Sequence, residues 1–138
     1  MRQMNSYMAN GHCEGMAVLS NLMYYGQVDP AAFGGDTTHD LEFENEALQR
    51  EIAYWWVTQA TWPASSVLIN DSPAEVLDAL MGTLSQGRQA SEWWTLGIYK
   101  EDGSDGHAVT PIAVVDKGGD QYDILIYDNI YPDLIRTI

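Results

Sequence analysis

The sequence predicts an α+β fold. Apolar residues recur at helical spacing through the first two thirds of the chain, and the last third breaks into short β-branched and aromatic runs divided by turn residues. Helices first and an antiparallel meander last favour this class over alternating α/β units.

The first helix is expected from Cys13 to about Tyr25. Met16, Leu19 and Met23 recur at three- and four-residue steps with Val18 and Leu22 alongside, and Gly26 follows as a C-terminal stop. A second is expected from Glu42 to Thr58, where Leu48, Ile52 and Trp55 share a face that Tyr54 and Trp56 widen. The Trp62-Pro63 stretch reads as an ordered surface connection. Ser72-Pro73-Ala74-Glu75 has the form of a capping box with proline at the first helical position, so a third helix follows. Its apolar face is Val76, Leu77, Leu80, Met81 and Leu84, with Gly87 ending it. The strand runs are 95–99, 107–115 and 121–127, separated by the turn-rich segments 101–106 and 116–120. Pro111, inside the second run, calls for an edge position or a bulge. The sequence stops soon after Pro132, so a closing strand is expected to be missing or supplied by a neighbour.

Composition narrows the functions open to such a fold. The 138 residues suit one domain, residues 1–138, whether whole or excised from a longer protein. Twenty acidic against six basic side chains give a net charge of −14, a field that repels phosphate backbones and anionic lipids, so nucleic acid is not an expected partner. The same excess fits a cationic substrate, a salty habitat or a secreted life. No apolar run approaches a membrane span, and the N-terminal stretch has no apolar signal core, so membrane insertion is not expected and the compartment stays open. The single cysteine rules out an internal disulfide and a multi-thiolate metal site. The three histidines have no zinc-ligand spacing, and the Asp102/Asp105 and Asp116/Asp120 turns lack a calcium-loop pattern, so neither metal nor cofactor is expected.

Cys13 is therefore a small buried hydrophobe or a working thiol. A thiol becomes nucleophilic when its thiolate is stabilised, which the unpaired N–H groups and positive dipole end of a helix N-terminus can do. Gly11 and Gly15 bracket Cys13, leaving a tight backbone that a substrate can approach. The base the thiol needs is His107, at the start of a strand just after a glycine-containing turn. A third group must orient the imidazole, and the next strand ends in Tyr127-Asp128-Asn129. A hairpin turning at Gly118-Gly119 sets His107 and Asp128 about opposite each other, with Cβ atoms ~4.5–5.5 Å apart. Asp128 is the expected orienting residue; Asn129, pointing to the other face, is the alternative.

Cysteine at the start of the first helix, with Gly106-His107-Ala108-Val109 far downstream and Tyr127-Asp128-Asn129 on the next strand, resembles the papain-like cysteine peptidase superfamily, especially its small bacterial branches. The resemblance implies a helical part that carries the nucleophile, packed on a C-terminal antiparallel sheet that carries base and orienter. By that likeness Cys13 is the nucleophile, His107 the general base and acid, and Asp128 the orienting residue, acting on a peptide or protein substrate. The superfamily commonly has Asn where Asp128 stands, and where it places an oxyanion-hole glutamine upstream of the cysteine this chain has Tyr7. Gln3, Asn5 and Asn10 are nearby amides, and Asn10 is the expected donor, together with the Cys13 backbone N–H.

The implied activity is thiol-dependent hydrolysis of peptide or related amide bonds through an acyl-enzyme. An acyl transferase using the same triad, and a binding or accessory domain without efficient catalysis, fit the same residues. His12 reads as surface or cleft lining, because residues one apart at a helix start do not face each other, and His39, in the polar stretch GGDTTHD, reads as exposed. Trp55 reads as core.

Overall fold

A computed structural model describes residues 11–69 and 72–138. The chain divides into two compact units, Met1–Val67 and Leu68–Ile138. Among the described residues are three α-helices and a four-stranded antiparallel sheet, an α+β composition.

The first unit contains helices α1 (Cys13–Tyr24) and α2 (Glu46–Thr58), which pack on each other. Gly26 has φ +72, the left-handed conformation that ends α1 at little cost for a residue lacking Cβ. Helix α2 begins four residues later than periodicity suggests. Asn45 caps it, its side chain accepting from the backbone N–H groups of Ala47 and Leu48, while its amide donates to the Phe33 carbonyl. Leu19, Met23, Leu48 and Ile52 form the core, with Trp55 packed against it. Gly15 is buried at the crossing: a Cβ there would lie 2.1 Å from the Ile52 carbonyl oxygen. Its first role is therefore close helix packing, not access for substrate. Trp62 is exposed before a 3₁₀ turn at Ala64–Ser66.

The second unit opens with α3 (Pro73–Leu84). The expected capping box forms: the Glu75 carboxylate accepts from the Ser72 backbone N–H at 2.9 Å, and the Ser72 hydroxyl accepts from the Glu75 N–H. The helix ends at Leu84 rather than running to Gly87, which starts a 3₁₀ turn. Its inner face also differs from the apolar count. Met81 is exposed, whereas Thr83 is buried and accepts a hydrogen bond from the Trp94 indole N–H. A hydroxyl that finds a partner can occupy a core position at little cost.

Helix α3 packs on β2 of a sheet ordered β1 (Leu96–Ile98), β2 (His107–Gly118), β3 (Gln121–Tyr127), β4 (Ile135–Thr137). The closing strand thus lies within the chain, correcting the expectation of a missing one. Its three residues pair with β3, and Ile124 and Ile138 exchange two further backbone hydrogen bonds. The β2–β3 hairpin turns at Gly119-Asp120, both with positive φ, one residue later than expected. Two residues of β2, Ile112 and Lys117, are bulged out of the ladder. Pro111 adjoins the first bulge at a point where β1 no longer pairs, since β1 reaches only to Val109, so its missing N–H breaks no ladder bond on that side.

Candidate functional site: a buried carboxylate shared by imidazole and guanidinium

His107 is the first residue of β2 and pairs with Ile98. Just before it, the Tyr99 ring lies so close to Gly106 that a Cβ there would be 2.4 Å from it. Asp128 follows directly on β3. The last paired residues there are Thr110 and Tyr127, so continuing the ladder one step places Asp128 opposite Val109, not His107. The two expected partners are diagonal neighbours on one face, a separation an imidazole can span. The bulges account for this placement. Each moves the pairing one residue along β2 toward His107, and without them the same turn would set Asp128 against Pro111.

The side chains meet across that diagonal: His107 Nε2 lies 2.9 Å from Asp128 Oδ1. Asp128 is 2% exposed, so its charge depends on the donors around it. Oδ1 also accepts from the backbone N–H of Ile130 at 3.0 Å, an Asx turn that folds the chain back toward β4. Oδ2 accepts from Arg136 Nη1 at 2.8 Å. Burial works to raise the Asp128 pKa. The hydrogen bonds from His107, Ile130 and Arg136, with the imidazole's charge, outweigh it and hold the carboxyl below its ordinary 3.8. An ionised carboxylate only accepts, so Nε2 carries the proton of this hydrogen bond and Nδ1 is the nitrogen for proton exchange.

Arg136 was not legible as a site residue. It stands on the three-residue β4 opposite Ile126, and its guanidinium lies 4.5 Å from the centroid of the Tyr131 ring. The available signal was the alternation Ile135-Arg136-Thr137 after a turn, too short to read as a strand on periodicity alone. Beside the pair is a pocket of about 280 Å³ lined by Ile98, Tyr99, Lys100, Asp105, His107, Ile126, Asp128, Arg136, Thr137 and Ile138, with Lys100 ion-paired to Asp105.

Cys13 is the first residue of α1, partly exposed, and preceded by Gly11 with φ +127, which favours glycine. His12 stands at the N-cap position without a side-chain capping bond. His39 is exposed in a 3₁₀ turn. The Asn129 amide reaches the Ala108 carbonyl at 3.4 Å. Asn10, the expected oxyanion donor, lies outside the described residues, as do Gln3, Asn5 and Tyr7. Among the described residues, no group of three or more His, Cys, Asp and Glu side chains is placed to hold a metal ion, and no helix is long and apolar enough to cross a membrane.

Comparison with protein-family models, curated proteins and solved structures finds no match to this chain.

Proposed function

We propose that this chain is a papain-like thiol hydrolase cleaving peptide or related amide bonds, with Cys13 as nucleophile, His107 as base and acid, and Asp128 as orienter. The observation that carries the reading is the His107–Asp128 pair: an imidazole held at Nε2 by a buried, ionised carboxylate presents Nδ1 for proton transfer. The position of Cys13 at the start of α1 adds to it, because the orphan N–H groups of the first turn favour a thiolate.

In the proposed reaction, His107 Nδ1 takes the thiol proton and Cys13 Sγ attacks the substrate carbonyl carbon. The tetrahedral oxyanion collapses as Nδ1 delivers that proton to the leaving amine, giving a thioester. Water, deprotonated at Nδ1, then cleaves the thioester and restores the thiol, while Asp128 stabilises the imidazolium at Nε2 throughout.

Alkylation of Cys13 by iodoacetamide near pH 6 tests the reading. An ordinary thiol of pKa ≈ 8.5 is about 0.3% thiolate at that pH. A thiolate formed with His107 should react on the order of tenfold faster or more, allowing for its lower intrinsic nucleophilicity, and lose that advantage in His107→Ala. Slow alkylation indifferent to His107→Ala would sink the enzyme reading and leave a binding domain in its place.

A further inference from the structure

We propose that Arg136 is a positioning residue for the His107 imidazole, gripping Asp128 at Oδ2 so that Oδ1 is presented to Nε2, and sharing the carboxylate's charge with the ring. This rests on the reading of His107 and Asp128 as a functional pair. A carboxylate engaged only by an imidazole and one amide can rotate about its terminal torsion. With Ile130 N–H on Oδ1 and Arg136 Nη1 on Oδ2, its plane is held from both sides.

The plainer role for Arg136 would be to fasten β4. The strand has its own attachment: three residues in register with β3 and the paired backbone hydrogen bonds between Ile124 and Ile138. The choice of partner also separates this cation from others in the chain. Arg50, Lys100 and Lys117 pair with exposed or half-exposed carboxylates, whereas Arg136, itself half exposed and lying over Tyr131, reaches in to a carboxylate that is 2% exposed.

The guanidinium has a second consequence. It competes with the imidazole for one negative charge, so it lowers the carboxylate's hold on a proton at His107. Among the described residues, the other ionisable groups lining the pocket beside the pair are Tyr99, Lys100 and Asp105, the last two paired with each other, and none changes in the variants below.

The test follows the His107 imidazole by ¹⁵N NMR across pH in the whole chain. Arg136→Gln should raise its titration midpoint by about 0.5–1 pH unit, as expected for removing a like charge nearby at intermediate dielectric. Arg136→Lys, which keeps the charge, should shift it by less than half as much. Asp128→Asn should lower it. An unchanged midpoint in folded Arg136→Gln would overturn the proposal. So would loss of the fold in both Arg136→Gln and Arg136→Met, because that outcome assigns the arginine to holding β4. No substrate is used, so a shifted His107 beside a sluggish Cys13 would retire the hydrolase reading and keep the arginine's role.

Discussion

The Nε2 atom of His107 and the Oδ1 atom of Asp128 lie 2.9 Å apart although the residues are diagonal in the ladder, and the carboxylate between them and Arg136 is acceptor-only. An amide at this position cannot satisfy the same neighbours. Either its NH₂ faces the Arg136 guanidinium, or it faces the donors from His107 and Ile130. Asp128→Asn should therefore cost about 1.5–3 kcal/mol despite its near-identical shape. Urea unfolding measures this. A loss below about 0.5 kcal/mol, the range of ordinary surface changes, would show that the donors are not competing for the carboxylate.

Acid should act on the same group. The native pKa of Asp128 is below 3.8, so the folded chain binds fewer protons there than the unfolded one. Its stabilising contribution is present above about pH 4 and is lost as pH falls through the lower native value. Asp40, Glu75 and Asp102 are also lowered, chiefly by hydrogen bonds from Thr37, Ser72 and Ser104, so the whole chain weakens in acid. The Asp128 share is isolated by difference: between pH 5 and pH 2.5 wild type should lose more stability than Asp128→Asn. Parallel losses would contradict the assignment.

Gly15→Ala should destabilise the first unit, against the usual gain of replacing a helical glycine. The added Cβ would lie 2.1 Å from the Ile52 carbonyl oxygen, a backbone atom that moves only if α1 and α2 separate. Overpacking of this kind costs about 1–3 kcal/mol, more than the ~1 kcal/mol helix-propensity gain. A thermal melt with a raised midpoint would refute the close approach.

Ser72→Ala removes the N-cap of α3 and both hydroxyl contacts with Glu75. The melting temperature should fall by a few degrees, about what losing one good cap costs a domain of this size. Ser72→Asp, which can still accept from the first-turn N–H groups, should restore most of the loss.

What the order of residues determined on its own was local. The stop of α1 before Gly26 and the capping box of α3 depend on backbone groups satisfied within a few positions, and the bounds of β3 follow a β-branched and aromatic run between turn residues. The expected nearness of His107 and Asp128 also rested on a short hairpin, and the turn moved by only one residue. Tertiary structure decided the rest. Pro111 marks the bulge at Ile112, but the one at Lys117 has no such sign, and how far the two together carry Asp128 to its diagonal with His107 is set by the packed ladder. Met81, expected inside, is exposed, and Thr83 is buried where Trp94 supplies a donor from eleven residues away. Gly15 is explained by Ile52 on another helix, and Arg136 by a strand too short to show a period. Periodicity and caps report bonds the chain makes with itself nearby. A buried carboxylate is completed by donors from separate strands and a turn, and their meeting is a property of the packed chain.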